Sequence, residues 1–132
     1  MSTSKCRILY IDDHTDSAEM LCLLLGQEDY EVVTAATFDG ALKLANTDSF
    51  DLYVLDRRLP DGNGIELCQK LNEITPGIPC IFYTGDAYEV HRKQALEAGA
   101  DDYVSKPHVE ELIDAVGKLL AEKDCATATV SV

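Results

Sequence analysis

The stretch "ILYIDDH" (residues 8–14) runs four apolar residues straight into two adjacent carboxylates, Asp12 and Asp13. A continuous apolar run of this length reads as a strand covered on both faces. Two ionised acids at its end repel each other, and partial burial raises the cost of both the charge and the repulsion. Either the pair lies fully exposed in a loop, or something positive sits with it.

The same kind of run recurs along the chain: "EVVTA" (31–35), "DLYVL" (51–55), "PCIFYT" (79–84) and "DYVS" (102–105). Between the runs lie segments with helical spacing. Ala18, Leu21, Cys22 and Leu25 follow i, i+3, i+4, i+7, with Gly26 placed to stop the first helix. Ala41, Leu42 and Ala45 mark a second helix, and Leu67, Cys68 and Leu71 a third. A fourth is expected from about Ala87 to Ala98, closed by Gly99, and Leu112, Ile113, Val116 and Leu120 mark a fifth. Five strands alternating with five helices imply right-handed βαβ units and a parallel sheet, an α/β fold with helices on both faces. No internal repeat or second domain is legible. Residues 1–121 read as one domain and 122–132, ending "ATATVSV", as a tail or the start of a linker.

At 132 residues the chain is long enough to bury a core without staples. No apolar run approaches the roughly 18 residues of a membrane span, and the start "MSTSKCR" has no secretory pattern. With 24 Asp and Glu against 11 Lys and Arg, the net charge is -13. This argues against non-specific binding to nucleic acid or anionic lipid. The five cysteines are odd in number and lack C-x-x-C spacing. Cys80 in an apolar run, and Cys22 and Cys68 at core-facing helical positions, read as small buried thiols. Together these features point to a reducing cytoplasm.

In open parallel sheets, ligands bind beyond the carboxyl ends of the strands, where strand order reverses. Asp12 and Asp13 end the first strand and Asp56 the third, Thr84 ends the fourth, and Lys106 follows the fifth in "YVSKP". In the five-strand order 2-1-3-4-5, strands one and three are neighbours, which brings Asp56 beside Asp12 and Asp13. Three carboxylates this close call for a shared cation. Oxygen-only donors suit hydrated Mg²⁺ better than Zn²⁺. "LPDGNG" (59–64) has turn chemistry and reads as loop geometry leading into the third helix. His14 reads as a solvated loop residue and His91 as inert.

"YIDDH", "YVLDRRLPDGNG", "FYTGD" and "DYVSKP" together resemble the receiver domain of two-component response regulators, over about residues 6–121. The resemblance implies a flavodoxin-like (βα)5 fold. It makes Asp56 the phosphoacceptor for a phosphohistidine of a sensor histidine kinase or a histidine phosphotransfer protein. It gives Mg²⁺, with Mn²⁺ as a substitute, to Asp13, Asp56 and the backbone carbonyl of Arg58, with Asp12 assisting directly or through water. Thr84 and Lys106 would bind phosphoryl oxygens, and Tyr103 would repack when Thr84 moves. Such a domain is a signalling module rather than an enzyme. It would act through a downstream protein target or a phosphorelay, without direct nucleic-acid or membrane binding, and the fourth- and fifth-helix face would serve any homodimer.

The chain departs from the family pattern at Arg57 and Arg58, directly after the phosphoacceptor, and at His108, after Lys106–Pro107. Three competing readings differ in chemistry. A haloacid-dehalogenase-type phosphatase would use Asp12 as nucleophile, but it expects a second acid where His14 stands. A degenerate receiver would not retain all five pocket residues. A flavin-binding protein of flavodoxin type would need a Ser/Thr-rich loop after the first strand.

Overall fold

The computed structural model describes residues 6–85 and 88–121. Its elements are β1 (Arg7–Ile11), α1 (Thr15–Gln27), β2 (Glu31–Ala35), α2 (Phe38–Thr47), β3 (Leu52–Leu55), β4 (Arg58–Leu59) and β5 (Gly62–Asn63). These are followed by α3 (Gly64–Ile74), β6 (Cys80–Thr84), α4 (Glu89–Glu97), β7 (Asp102–Ser105) and α5 (Val109–Leu120). Strands β4 and β5, two residues each, form an antiparallel ribbon across "RLPDGN" (58–63), overlapping "LPDGNG". The other five strands form one parallel sheet in the order β2-β1-β3-β6-β7. Leaving the ribbon aside, this is the expected order 2-1-3-4-5 of a flavodoxin-like fold.

Strand alternation divides the apolar residues between two layers. Leu9, Leu55, Phe82 and Tyr103 face one way with Ala41, Leu67 and Leu71, in the layer of α2, α3 and α4. Ile8, Tyr10, Val54 and Tyr83 face the other way with Leu21, Leu25, Leu112 and Val116, in the layer of α1 and α5. The continuous apolar runs are thereby explained: every side chain of β1 beyond Arg7, and all of β3 and β6, is buried.

Several boundaries differ from expectation for local reasons. Gly26 does not stop α1, which runs on to Gln27. The left-handed residue is Asp29 (φ 72), and the Tyr30 N–H donates back to the Leu25 carbonyl at 3.2 Å. An aspartate tolerates that conformation better than most residues. Strand β3 begins at Leu52 because the Asp51 carboxylate accepts the Arg7 N–H (2.7 Å) and turns the chain. Strand β6 begins at Cys80, since Pro79 has no N–H for the ladder. Gly99 closes α4 as expected, at φ 113, whereas Ala87 and the tail 122–132 lie outside the described residues. Cys68 and Cys80 are buried thiols and Cys22 a half-buried one, but Cys6 is disulfide-bonded, which a reducing compartment did not lead one to expect. Among the described residues no helix is long and apolar enough to cross a membrane.

Candidate functional site

The sheet's own ladder carries the site residues into place. Register pairs Ile11 with Leu55, and Thr84 with Ser105, so Asp12, Asp56 and Lys106 each follow a last paired residue. Their main chains continue the ladder by one bond each: Asp12 N–H to the Ala35 carbonyl (3.0 Å), Asp56 N–H to Ile11 (3.0 Å) and Lys106 N–H to Thr84 (2.7 Å). The ribbon and α3 brace the far side. The Gly64 N–H donates to the Arg57 carbonyl at 2.7 Å, and a Cβ on Gly64 would collide with the Asp56 carbonyl. Asn63 caps α3 by accepting from the Ile65 N–H (2.7 Å). "LPDGNG" thus acts as loop geometry beside the site, as its composition implies. Asp61 in the same loop accepts the Phe38 and Asp39 N–H groups and so caps α2 across the chain.

Lys106 Nζ lies 2.7 Å from Asp12 Oδ2 and 3.2 Å from Asp56 Oδ2. The Thr84 hydroxyl donates to Asp56 Oδ1 at 2.8 Å, and the Arg58 N–H approaches the same oxygen at 3.3 Å. Asp12, Asp56 and Thr84 are buried; Asp13 points outward, its side chain 39% exposed. The structure therefore brings together Asp12, Asp56, Thr84 and Lys106, with Asp13 at the rim. A cavity of about 490 Å³ opens over them, lined by His14, Asp56, Arg58, Thr84, Tyr88 and Lys106 among others.

The positive partner sought for the paired acids is present in the chain itself. Burial pushes the Asp12 carboxyl up, but hydrogen bonds from Lys106, Tyr10 and His14 outweigh it and hold Asp12 below its ordinary value. Burial likewise pulls Lys106 down, and its bonds and charge pairing with Asp12 and Asp56 overcome this and raise it. Both groups are thereby held in their charged forms. Lys106 Nζ also sits 5.8 Å over the Tyr83 ring.

Tyr103 is buried and its ring stacks on Phe82, with centroids 5.9 Å apart. Its register partner is Phe82, whereas Thr84 pairs with Ser105.

Two contacts escape sequence reasoning. The Tyr10 hydroxyl donates to Asp12 Oδ2 at 2.6 Å; burial, then the Asp12 bond, raises its pKa. A hydroxyl in a fully buried strand needs a partner, and Asp12, two residues on and on the same face, is the nearest polar group. His14 is exposed, as a loop residue should be, yet its Nδ1 lies 2.8 Å from Asp12 Oδ1 and 3.5 Å from Asp13 Oδ1.

The donor set fits a divalent cation. Carboxylate oxygens of Asp12 and Asp56 and a ring nitrogen of His14 lie within 4.8 Å of one another, with Asp13 at the rim and Arg58 lining the same cavity. Oxygen donors with room for water suit Mg²⁺.

A flavodoxin-like sheet whose first and third strands end in acids and whose last strand is followed by a lysine defines a class of α/β receivers, and comparison with known proteins narrows it. Residues 8–117 match the family described as the response regulator receiver domain. The chain belongs to that family. Among curated proteins it is 38% identical over 103 residues to the phosphate regulon transcriptional regulatory protein PhoB of Escherichia coli, which covers 76% of this chain and 45% of PhoB. The chain spans about half the length of the curated relatives it matches. Among solved structures, a CheY-like receiver domain protein from Methanospirillum hungatei matches with a TM-score of 0.85 at 36% identity, covering 90% of this chain and 96% of that one. A response regulator from Burkholderia pseudomallei matches with a TM-score of 0.80 at 30% identity, covering 97% and 76%.

Proposed function

We propose that this domain accepts a phosphoryl group on Asp56 from a phosphohistidine of a sensor histidine kinase or a histidine phosphotransfer protein, in a Mg²⁺-dependent reaction. The observation that carries the reading is the buried Asp56 carboxylate, with one oxygen on the Thr84 hydroxyl and the other on the Lys106 ammonium. The Burkholderia relative was solved with a phosphorylated aspartic acid and a calcium ion, which agrees with an acyl phosphate formed in such a site.

In the transfer, a bond forms from an Asp56 oxygen to phosphorus as the phosphorus–nitrogen bond to the donor histidine breaks. The transition state is loose, with charge spread over the equatorial oxygens, so the protein's task is positioning and neutralisation. Lys106 meets those oxygens with a compact point charge, and Thr84 with a short hydroxyl donor. Mg²⁺, or Mn²⁺ in its place, would be held by Asp13, Asp56 and the Arg58 carbonyl with Asp12 assisting, and would offset repulsion between the carboxylate and the incoming group. Thr84 then exchanges its bond to Asp56 for one to a phosphoryl oxygen. This biases the packing of Phe82 and Tyr103, and so the face of α4, β7 and α5. A downstream protein or relay partner, or a second copy of the chain, would read that face. On this reading the protein is a cytoplasmic signalling module rather than an enzyme.

Labelling from acetyl phosphate with Mg²⁺ tests it. Wild type should acquire one acid-stable, base-labile acyl phosphate, lost in Asp56→Asn and blocked by EDTA. Equal labelling of wild type and variant would overturn the assignment.

A further inference from the structure

We propose that His14 is a nitrogen ligand in the cation site of this chain, so that the site takes borderline transition ions such as Ni²⁺, Co²⁺ or Zn²⁺ in marked preference to Mg²⁺. The inference rests on the cation reading above and adds a donor that this reading does not use. The His14 Nδ1 atom lies 2.8 Å from Asp12 Oδ1, 3.5 Å from Asp13 Oδ1 and 3.9 Å from Asp56 Oδ2. Two donors bound to one ion at about 2.0–2.1 Å stand roughly 2.8–3.0 Å apart at right angles and about 4.2 Å apart when opposite. All three separations fall inside those limits, and donor atoms of Asp12, His14 and Asp56 lie within 4.8 Å of one another, so one ion can meet the ring and these two acids after small side-chain shifts, with Asp13 closing from the rim.

The ring is held on the site side for a visible reason. His14 occupies the N-cap position of α1, yet its side chain makes no capping bond there. Its backbone N–H and its ring both go to Asp12 Oδ1 instead. The imidazole is therefore committed to the acids rather than to its own helix. With 65% of the side chain exposed, it can tilt to meet an ion without disturbing the core.

The chemistry sets the direction of the preference. Carboxylate, carbonyl and water donors suit Mg²⁺ and Mn²⁺, whereas imidazole suits Ni²⁺, Cu²⁺ and Zn²⁺. Adding one nitrogen to a carboxylate set raises affinity for the second group and leaves Mg²⁺ nearly unaffected. The plainer reading is a ring that merely covers an acidic cluster, and it predicts that removing the ring leaves transition-ion affinity unchanged.

Calorimetric titration of the whole chain at fixed neutral pH, with Ni²⁺ and separately with Mg²⁺, distinguishes the two. His14→Ala should lose roughly tenfold or more in Ni²⁺ affinity, while its Mg²⁺ affinity moves by less than about threefold. Asp13→Asn should weaken both metals. In a long-range ¹⁵N–¹H spectrum of wild type, the His14 Nδ1 resonance should make the large shift of a metal-bound nitrogen with Zn²⁺ and only the smaller shift of a perturbed Asp12 hydrogen bond with Mg²⁺, a readout independent of any variant's folding. Equal Ni²⁺ affinity in wild type and His14→Ala, or a Nδ1 resonance indifferent to Zn²⁺, overturns the proposal. If that happens while Asp13→Asn still weakens Mg²⁺, the cation site survives without His14. If Asp13→Asn and Asp56→Asn both bind Mg²⁺ as wild type does, the cation reading falls, and this proposal with it.

Discussion

Each end of the sheet gathers a cation among acids, and the two do it differently. At the amino end Arg7 donates to Asp48 Oδ1 (2.9 Å), the Ser49 carbonyl (2.7 Å) and Glu31 (3.3 Å), and its guanidinium lies 4.9 Å over the Phe50 ring. Those acids are half exposed. At the carboxyl end Lys106 serves Asp12 and Asp56, whose side chains are 0% and 6% exposed. Arginine's planar fork matches fixed partners, and here it ties β1 to β2 and to the α2–β3 loop. Lysine's point charge on a flexible stem has no such geometry, so a metal ion or a phosphoryl group can take over its partners. On the proposed function, exchangeability, more than the count of ion pairs, separates the carboxyl end from the amino end.

The largest expected effect breaks the exchangeable end. In Lys106→Met, Asp12 and Asp56 face each other buried without their cation, and the metal-free protein should lose about 3 kcal/mol. Mg²⁺ should then stabilise the variant more than wild type, for which tenfold excess over Kd is worth about 1.4 kcal/mol. Melting curves with MgCl₂, and with NaCl at matched ionic strength, separate site binding from general screening. A Mg²⁺ shift in the variant no larger than in wild type would mean that Lys106 does not stand in for the ion.

This contrast was only partly legible in the sequence. The carboxyl end announced itself because its residues sit at the ends of apolar runs, so a strand count alone brings Asp12, Asp56, Thr84 and Lys106 to one edge. The need for a positive charge among the acids was also readable, although the chain supplies Lys106 before any metal. The Arg7 hub was not legible, since its partners lie 24 and 41 residues away and meet it only through the strand register. Tyr10 was readable as core by its apolar neighbours, and its hydroxyl bond to Asp12 hid behind that correct assignment. Gly26 misled because glycine after a periodic segment signals a helix stop, whereas Asp29 carries the left-handed turn here.

A smaller effect tests the structural end. Arg7→Ala removes the bonds to Asp48, Ser49 and Glu31 and the contact with Phe50, at a cost of about 1–2 kcal/mol for so exposed a network. Because none of these partners reaches the cavity, the Mg²⁺ shift and labelling of Asp56 should match wild type. A reduced Mg²⁺ response in Arg7→Ala would show that the two ends are coupled through β1, and the comparison would fail.

The smallest effect lies in pH, where the ends should part on the alkaline side only. Asp12 and Asp48 are both held below the ordinary carboxylate value, Asp12 by bonds that outweigh its burial and Asp48 by the Arg7 hydrogen bond. A lowered acid contributes stability that is present above its unfolded value, about 3.9, and is lost as pH falls through the folded one. Acid therefore loosens both ends alike. His14 runs the other way: its bond to Asp12, then the Asp12 charge, raises it. Its contribution is fully present below the unfolded value of about 6.5 and disappears as pH rises through the higher folded value. The charged groups around Arg7 are the carboxylates of Glu31, Asp48 and Asp51, with no histidine among them. In EDTA, the melting temperature of wild type should fall between about pH 6 and pH 9 more than that of His14→Ala, and the difference should be small because the ring is exposed. Parallel pH profiles for the two proteins would leave Lys106 as the sole internal cation of the site.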